Sequence, residues 1–241
     1  MNDISDHVVL VTGGSTGIGR ATALAFAREG ANVVIADVQS GEAAVAECRD
    51  LGVDASYVPV DVSQPGDVSQ LLYVIAARFG RLDYAFNNAG SHGYPGLTGE
   101  CSIDNWQRTL AVNLTGAFLC MRAELAYMDH GAAIVNNSSV AGLGGFVGMP
   151  AYTAAKHGLI GLTKTAALEY AAAGIRINAI CPGMTDTVAP YTNGGDGPDV
   201  VEVVEVSGRA DEIAGTVLWL CSGAAKYITG QAICVDGTHS S

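Results

Sequence analysis

Residues 12–19 have the sequence TGGSTGIG, that is Thr12-Gly13-Gly14-Ser15-Thr16-Gly17-Ile18-Gly19. This stretch follows a short apolar run at 8–11 and precedes a helical pattern at 18–29, so it connects a buried strand to a helix. Glycines let the backbone approach a phosphate closely, and a helix N-terminus contributes N–H donors and positive potential. The stretch predicts a nucleotide-binding loop, although a plain glycine turn before a helix is the alternative.

Strand and helix patterns alternate along the whole chain. Such alternation is typical of an α/β fold with a doubly wound parallel sheet and helices on both faces, and we expect one domain over residues 1–241. Ligands of these sheets lie beyond the carboxyl ends of the strands. Pro59 favours an edge position for the third strand. The predicted strands are 8–11, 32–37, 56–61, 82–86, 132–136, 175–180 and 232–235, and the predicted helices are 18–29, 40–51, 64–79, 103–128, 151–172 and 211–220.

Asp37 ends the second predicted strand, eighteen residues after Gly19. A carboxylate there can accept hydrogen bonds from the ribose hydroxyls of a dinucleotide. It would repel the extra phosphate of NADP, so this position favours NAD as the cofactor.

Tyr152 and Lys156 lie four residues apart on a predicted helix, so they share one face. An adjacent ammonium favours the phenolate and lowers the pKa of a tyrosine, which can then exchange a proton with an alcohol or a carbonyl. Ser139, thirteen residues before Tyr152, would hydrogen-bond the substrate oxygen. A packed tyrosine beside a solvated lysine is the alternative for the pair alone; the glycine loop and Ser139 favour hydride-transfer chemistry.

Residues 13–17 also match Gly-x-Ser-x-Gly, the nucleophile elbow of hydrolases. Ser15 would then be the nucleophile, and Asp236 and His239 could complete a triad. This interpretation is disfavoured, because Ser15 follows the first strand and the two partners lie close together near the chain end.

The chain has 12 basic and 24 acidic residues among 241, a net charge of −12. Such a surface repels nucleic acid and anionic lipid, and no run approaches the roughly 20 apolar residues of a membrane span. No signal peptide is recognisable, so we expect a cytoplasmic protein whose six cysteines are buried, reduced thiols. The five histidines have no ligand spacing, which predicts no metal.

Together these motifs resemble the short-chain dehydrogenase/reductase family across nearly the full length. Further matches are Asp61-Val62, Asn87-Asn88-Ala89-Gly90, residues 136–139 (NNSS) and residues 182–187 (PGMTDT). The resemblance implies a Rossmann-like sheet, a homotetramer, and a catalytic tetrad in which Asn113 holds a water for proton relay while Lys156 also contacts the nicotinamide ribose. The cofactor contacts that we expect are Gly13, Ser15, Thr16, Gly17, Ile18, Gly19, Asp37, Val38, Asp61, Val62, Asn88, Ala89, Gly90, Tyr152, Lys156, Pro182, Gly183, Thr185 and Thr187, with the catalytic residues Asn113, Ser139, Tyr152 and Lys156.

The sequence departs from the family pattern at 207–213, which is shorter than usual, and at 235–238, which lacks a second glycine. Both departures concern the expected substrate lid, about 184–208, and the subunit contact. We expect an NAD-dependent oxidoreductase acting on a neutral, largely apolar secondary alcohol or ketone, a small-molecule substrate. The alternatives are an NADPH-dependent carbonyl reductase and a non-catalytic nucleotide sensor. His92 and Tyr94 could border the substrate, but a solvated loop is favoured for His92.

Overall fold

Seven strands form one sheet in a computed structural model, which describes residues 4–186 and 208–237. The strands are β1 (Val8–Thr12), β2 (Asn32–Asp37), β3 (Ala55–Pro59), β4 (Tyr84–Asn87), β5 (Ala133–Asn137), β6 (Arg176–Pro182) and β7 (Ala232–Val235). All neighbouring strands are parallel, in the order β3-β2-β1-β4-β5-β6-β7. The predicted doubly wound sheet is therefore confirmed, and β3 with its proline is an edge strand as expected.

Within the described residues, seven α-helices connect the strands. They are α1 (Gly17–Arg28), α2 (Glu42–Asp50), α3 (Pro65–Phe79), α4 (Ile103–Leu110), α5 (Ala117–Glu124), α6 (Pro150–Tyr170) and α7 (Ala210–Cys221). The order of the strands reverses between β1 and β4, so the chain winds outward to one edge and then returns to build the other. This switch point opens a crevice at the carboxyl ends of the strands, where such sheets bind ligands.

Alternate residues of each central strand enter two separate cores. Val9 and Val11 of β1 pack with α1, α2 and α7, whereas Val8 and Leu10 pack on the opposite face with α3, α5 and α6. Successive side chains of a strand point to opposite faces. A strand covered by helices on both sides must therefore be apolar throughout, which explains the continuous apolar run of β1.

The predicted helix 103–128 is interrupted, which corrects the sequence-based expectation. A π-helical segment, Ala111–Gly116, separates α4 from α5, and α5 ends at Glu124. The side-chain amide of Asn113 donates to the carbonyl of Thr109 at 2.9 Å. In an α-helix that carbonyl serves the backbone N–H of residue 113, so the side chain competes with the helical ladder.

The cysteine prediction is only partly right. Cys48, Cys120, Cys181 and Cys221 are buried thiols, whereas Cys101 is half-buried and Cys234 is exposed. Cys234 lies on β7, the last strand in the order of the sheet. Across residues 4–186 and 208–237, no helix combines the length and apolar character needed to cross a membrane.

Candidate active site at the carboxyl ends of the strands

The glycine loop between β1 and α1 has the backbone that its sequence predicts. Gly13 and Gly17 have φ values of +62° and +55°, a region that favours glycine. A Cβ on Gly19 would lie 2.1 Å from the carbonyl oxygen of Gly13, so only glycine fits where the helix crosses the loop. Thr16 makes no side-chain cap, and the first turn of α1 has no acidic residue. The helix N-terminus thus retains N–H donors and positive potential suited to a pyrophosphate.

Asp37 lies directly beside this loop. Its Oδ2 accepts a hydrogen bond from the backbone N–H of Ser15 at 3.1 Å, and its Oδ1 accepts one from Gln39 N–H at 3.0 Å. Each carboxylate oxygen can accept a further bond, so the group remains able to bind hydroxyls. Val38 projects into solvent with 70% of its surface exposed.

Asn88 connects the glycine loop to the centre of the sheet. Its Nδ2 donates to the carbonyls of Thr12 and Gly13 at 3.1 and 2.9 Å, and its Oδ1 accepts from Asn137 at 2.9 Å. The hydroxyl of Thr12 also accepts from the backbone N–H groups of Asn88 and Ala89. The Asn88 side chain therefore links β1, β4 and β5 through hydrogen bonds. A cofactor contact from this residue remains a prediction.

Asp61 and Val62 follow β3, at the side of the crevice nearest Asp37. The Oδ1 of Asp61 accepts from both the N–H and the hydroxyl of Ser63. Val62 is 6% exposed, and its side chain packs closely against Gly116. A Cβ added to Gly116 would come within 2.7 Å of that side chain. Because that side chain is buried, an adenine contact from Val62 would use its backbone.

Tyr152 and Lys156 lie one turn apart near the start of the long helix α6. The ammonium of Lys156 lies 5.4 Å from the centre of the Tyr152 ring and donates to the carbonyl of Asn137 at 2.6 Å. Lys156 is 3% exposed, and burial lowers its pKa from 10.5 to about 8. The structure therefore brings the predicted pair together at the end of β5.

Ser138 and Ser139 differ in the partners of their hydroxyls. Ser138 is buried, and its hydroxyl donates to the carbonyl of Lys156 at 3.1 Å. Ser139 is half-buried, and its Oγ accepts from the N–H of Ala141 at 3.1 Å while capping a short 3₁₀ turn, Val140–Gly142. A hydroxyl that accepts one bond can still donate, so Ser139 is the better placed of the two to bind a substrate oxygen.

Asn113 lies in the π-helical segment and faces the loop after β4. Its amide donates to the Ser91 carbonyl at 2.6 Å, and its Oδ1 accepts from Ser91 N–H at 3.3 Å. A Cβ on Gly90 would lie 2.9 Å from that Oδ1 and 3.7 Å from the Lys156 nitrogen. Glycine at position 90 thus lets Asn113 and Lys156 converge, and the expected water relay stays a prediction.

His92 is a site residue that sequence reasoning underestimated. It lies in the loop after β4 and is exposed, as expected, but its ring also packs against Tyr152, with centroids 4.9 Å apart. Desolvation lowers the pKa of His92, and the charge of Lys156 adds to this effect. The sequence signal was its position two residues after Gly90, beyond the carboxyl end of a central strand.

The remaining predicted contacts follow β6. Gly183 packs against Asp236, where a Cβ would come within 2.9 Å of the Asp236 Cβ, and its N–H donates to Val235. Thr185 is 5% exposed and pairs with Gly208. Pro182 ends the strand. Thr187 and residues 187–207 of the expected lid, about 184–208, lie outside the described residues.

The hydrolase alternative is contradicted by the positions of its residues. The Ser15 hydroxyl donates to the carbonyl of Gln39 at 3.2 Å. Asp236 follows β7, four strands away from β1, which corresponds to roughly 19 Å at the usual strand spacing. His239 lies outside the described residues. Within those residues, no group of three or more His, Cys, Asp or Glu side chains is arranged to hold a metal ion.

Comparison with known proteins identifies the family of this chain. Residues 13–239 match the family model described as Enoyl-(Acyl carrier protein) reductase. Cyclohexanol dehydrogenase of Acinetobacter sp. (strain SE19) is 38% identical over 246 residues, covering 100% of this chain and 97% of its own. The crystal structure of levodione reductase superposes with a TM-score of 0.88 at 34% identity, covering 98% of both chains. NAD+-bound xylitol dehydrogenase gives 0.87 at 31% identity, covering 97% of this chain and 99% of the other. The chain belongs to the short-chain dehydrogenase/reductase family and is an oxidoreductase of that type.

Proposed function

We propose that this oxidoreductase transfers hydride between NAD(H) and a neutral, largely apolar secondary alcohol or the matching ketone. The observation that carries the proposal is that Tyr152 and Lys156 meet beyond the end of β5, the strand that Ser139 follows. At the same edge of the sheet lies the glycine loop, with Asp37 of β2 beside it. The nicotinamide would accept or supply the hydride. Each remaining step belongs to side chains of this chain.

Tyr152 would act as the acid or base, removing the hydroxyl proton during oxidation and returning it during reduction. The ammonium of Lys156 favours the phenolate form, and its attachment to the Asn137 carbonyl keeps it in place. The Ser139 hydroxyl would donate to the substrate oxygen as negative charge develops. Asn113 would complete a water relay from its place against Ser91.

The choice of NAD rests on Asp37, whose carboxylate is held by Ser15 and Gln39 beside the loop. A 2′-phosphate would meet this negative charge without a local cation, since Ser15 and Val38 are neutral. One structural relative was determined with NAD+ bound. Cells usually keep NAD oxidised, so oxidation of the alcohol is the expected direction.

The choice of a neutral substrate rests on charge. Between Arg176 and Arg209 the sequence has no lysine or arginine, and it carries five acidic residues, namely Asp186, Asp196, Asp199, Glu202 and Glu205. A carboxylate substrate bound in a dry site needs a paired cation. Cyclohexanol, named for one relative, is a neutral secondary alcohol.

The test is a screen of secondary alcohols with NAD and with NADP, following the absorbance of the reduced cofactor. We expect turnover of neutral cyclic or aliphatic alcohols with NAD. A 2-hydroxy acid should react far more slowly than its neutral analogue. Efficient turnover of the acid would contradict the neutral substrate, and absence of turnover with every alcohol and ketone would favour the nucleotide sensor. Size-exclusion chromatography would check the expected tetramer.

A further inference from the structure

Glu124, the last residue of α5, is completely buried beneath the active site. Its Oε2 accepts a hydrogen bond from the Nδ2 of Asn87 at 3.1 Å. The same nitrogen donates to the Oδ1 of Asn136 at 3.1 Å, and the Nδ2 of Asn136 donates to the Thr163 hydroxyl at 2.9 Å. A single buried chain of polar groups thus joins α5, β4, β5 and α6.

These four elements carry the groups proposed for catalysis. Asn87 directly precedes Asn88 and the loop to Gly90, and Asn136 directly precedes Asn137, whose carbonyl holds Lys156. Thr163 lies on α6, the helix of Tyr152 and Lys156. Glu124 therefore lies at one end of the hydrogen-bonded chain that connects these elements.

If Glu124 is ionised, these hydrogen-bonded side chains contain more acceptors than donors. Among the oxygens of these hydrogen-bonded side chains, two have no hydrogen-bond donor in the described structure, Oε1 of Glu124 and Oδ1 of Asn87. A carboxylate offers acceptors only, so ionisation would leave both oxygens unpaired in an apolar setting, at high cost. A proton on Glu124 would turn one of these acceptors into the donor that the other lacks.

The surroundings favour that proton. Burial raises the pKa of Glu124 to about 8, and the hydrogen bond from Asn87 is the opposing influence. Asn87, Asn136 and Thr163, which face Glu124 or its partner from β4, β5 and α6, are uncharged. Cys120, one turn earlier on α5, has its own pKa raised by burial, so it remains a neutral thiol. No positive charge among the described residues contributes to the Glu124 pKa.

We infer that Glu124 is an uncharged carboxylic acid that positions the active site by pairing with the amide of Asn87. Its O–H donates to Asn87 Oδ1 while its other oxygen accepts from Asn87 Nδ2. The positioning role rests on the proposed function, whereas the protonation state can be tested without any substrate. Glu124 is a positioning residue, since the contacts that it makes are with Asn87 and not with reacting groups.

The test compares Glu124→Gln with Glu124→Leu. Glutamine presents one donor and one acceptor in the shape of the acid, so we expect it to keep kcat/KM within about threefold, a difference below the 1.4 kcal/mol that corresponds to tenfold. Leucine removes both hydrogen bonds that Glu124 offers to Asn87, so kcat should fall by about tenfold or more. A loss of activity in Glu124→Gln as large as in Glu124→Leu would overturn the assignment, because it would show that the charge is needed.

Melting temperatures supply the second readout, independent of catalysis. In the unfolded chain Glu124 ionises near its ordinary pKa of about 4.3, whereas in the folded protein it stays protonated up to about 8. The contribution of this acid to the free energy of unfolding is fully present below its pKa in the unfolded chain. It is lost as pH rises to its pKa in the folded protein. As pH rises, the melting temperature of the wild type should therefore fall further and further below that of Glu124→Gln. The difference should grow by up to roughly 3–5 °C per pH unit between pH 5 and 8.

Glu169→Gln is the matched control, because it makes the same substitution at an exposed position on α6. A difference in melting temperature between wild type and Glu124→Gln that stays constant from pH 5 to 8 would show that Glu124 is ionised in the folded protein. Because this arm needs neither substrate nor cofactor, its outcome stands even if the proposed reaction is not found.

Discussion

The ring of His92 lies 4.9 Å from the ring of Tyr152, measured between centroids, with the two planes inclined by 40°. The contact places an imidazole at the mouth of the site, next to the proposed acid and base. Because the pKa of His92 is lowered from 6.5, the ring is neutral at pH 7 and adds no charge there.

We expect His92→Phe to preserve the aromatic contact and to give a pH profile of kcat/KM parallel to that of the wild type above about pH 7. The two profiles should separate only in acid, where wild-type His92 gains its proton. His92→Lys, the matched variant with a permanent charge, should shift the acid limb to lower pH, since a cation favours the phenolate. Collapse of activity in His92→Phe would show that the imidazole itself transfers a proton.

Tyr152→Phe removes only the hydroxyl that moves the proton. Turnover should fall by roughly 10²–10⁴-fold or more, as for other lost acid/base groups, with NAD affinity nearly unchanged. Steady-state kinetics and a cofactor titration measure the two quantities. Tyr73→Phe, at an exposed position on α3, is the control and should leave both as they are. Wild-type rates in Tyr152→Phe would end the proposed mechanism.

Lys156→Met should weaken NAD binding and move the rise of the pH–rate profile to higher pH, because both the phenolate and the ribose lose a partner. Since burial brings the pKa of Lys156 to about 8, the positive charge is present below that pH and is lost above it. An ionisation near pH 8 should accordingly disappear from the profile of the variant. Lys164→Met, on the exposed side of α6, provides the comparison. An unchanged profile in Lys156→Met would identify the lysine as structural.

Asp37 should decide the choice of cofactor. Like charges in close contact cost several kcal/mol when water is partly excluded, and 1.4 kcal/mol is a tenfold effect. We expect the wild type to prefer NAD by on the order of 10² or more in kcat/KM. Asp37→Ser with Val38→Arg should narrow or reverse that preference by removing the repulsion and adding a phosphate partner. For Val38→Arg alone, the preference for NAD should lie between that of the wild type and that of the double variant. Equal use of both cofactors by the wild type would instead support the NADPH reductase.

The sequence by itself determined the order of strands and helices and the places of most site residues. Apolar runs such as 8–11 reflect strands buried on both faces, and glycines such as Gly13 and Gly19 reflect a backbone that no side chain fits. These signals are local, because they depend on burial and on the conformation of single residues. The parallel topology then requires that motifs after different strands meet at one edge.

Only the tertiary structure decided which distant groups touch. The π-helical turn at Asn113 depends on its amide reaching both Thr109 and Ser91, and helical periodicity does not report such competition. The contact between the rings of His92 and Tyr152 joins residues sixty positions apart. The pairing of Glu124 with Asn87 joins residues from a helix and a strand, and in sequence Glu124 resembles any polar residue of an amphipathic helix. Its burial follows from how α5 packs on the sheet, and that packing, not residue type, sets its protonation.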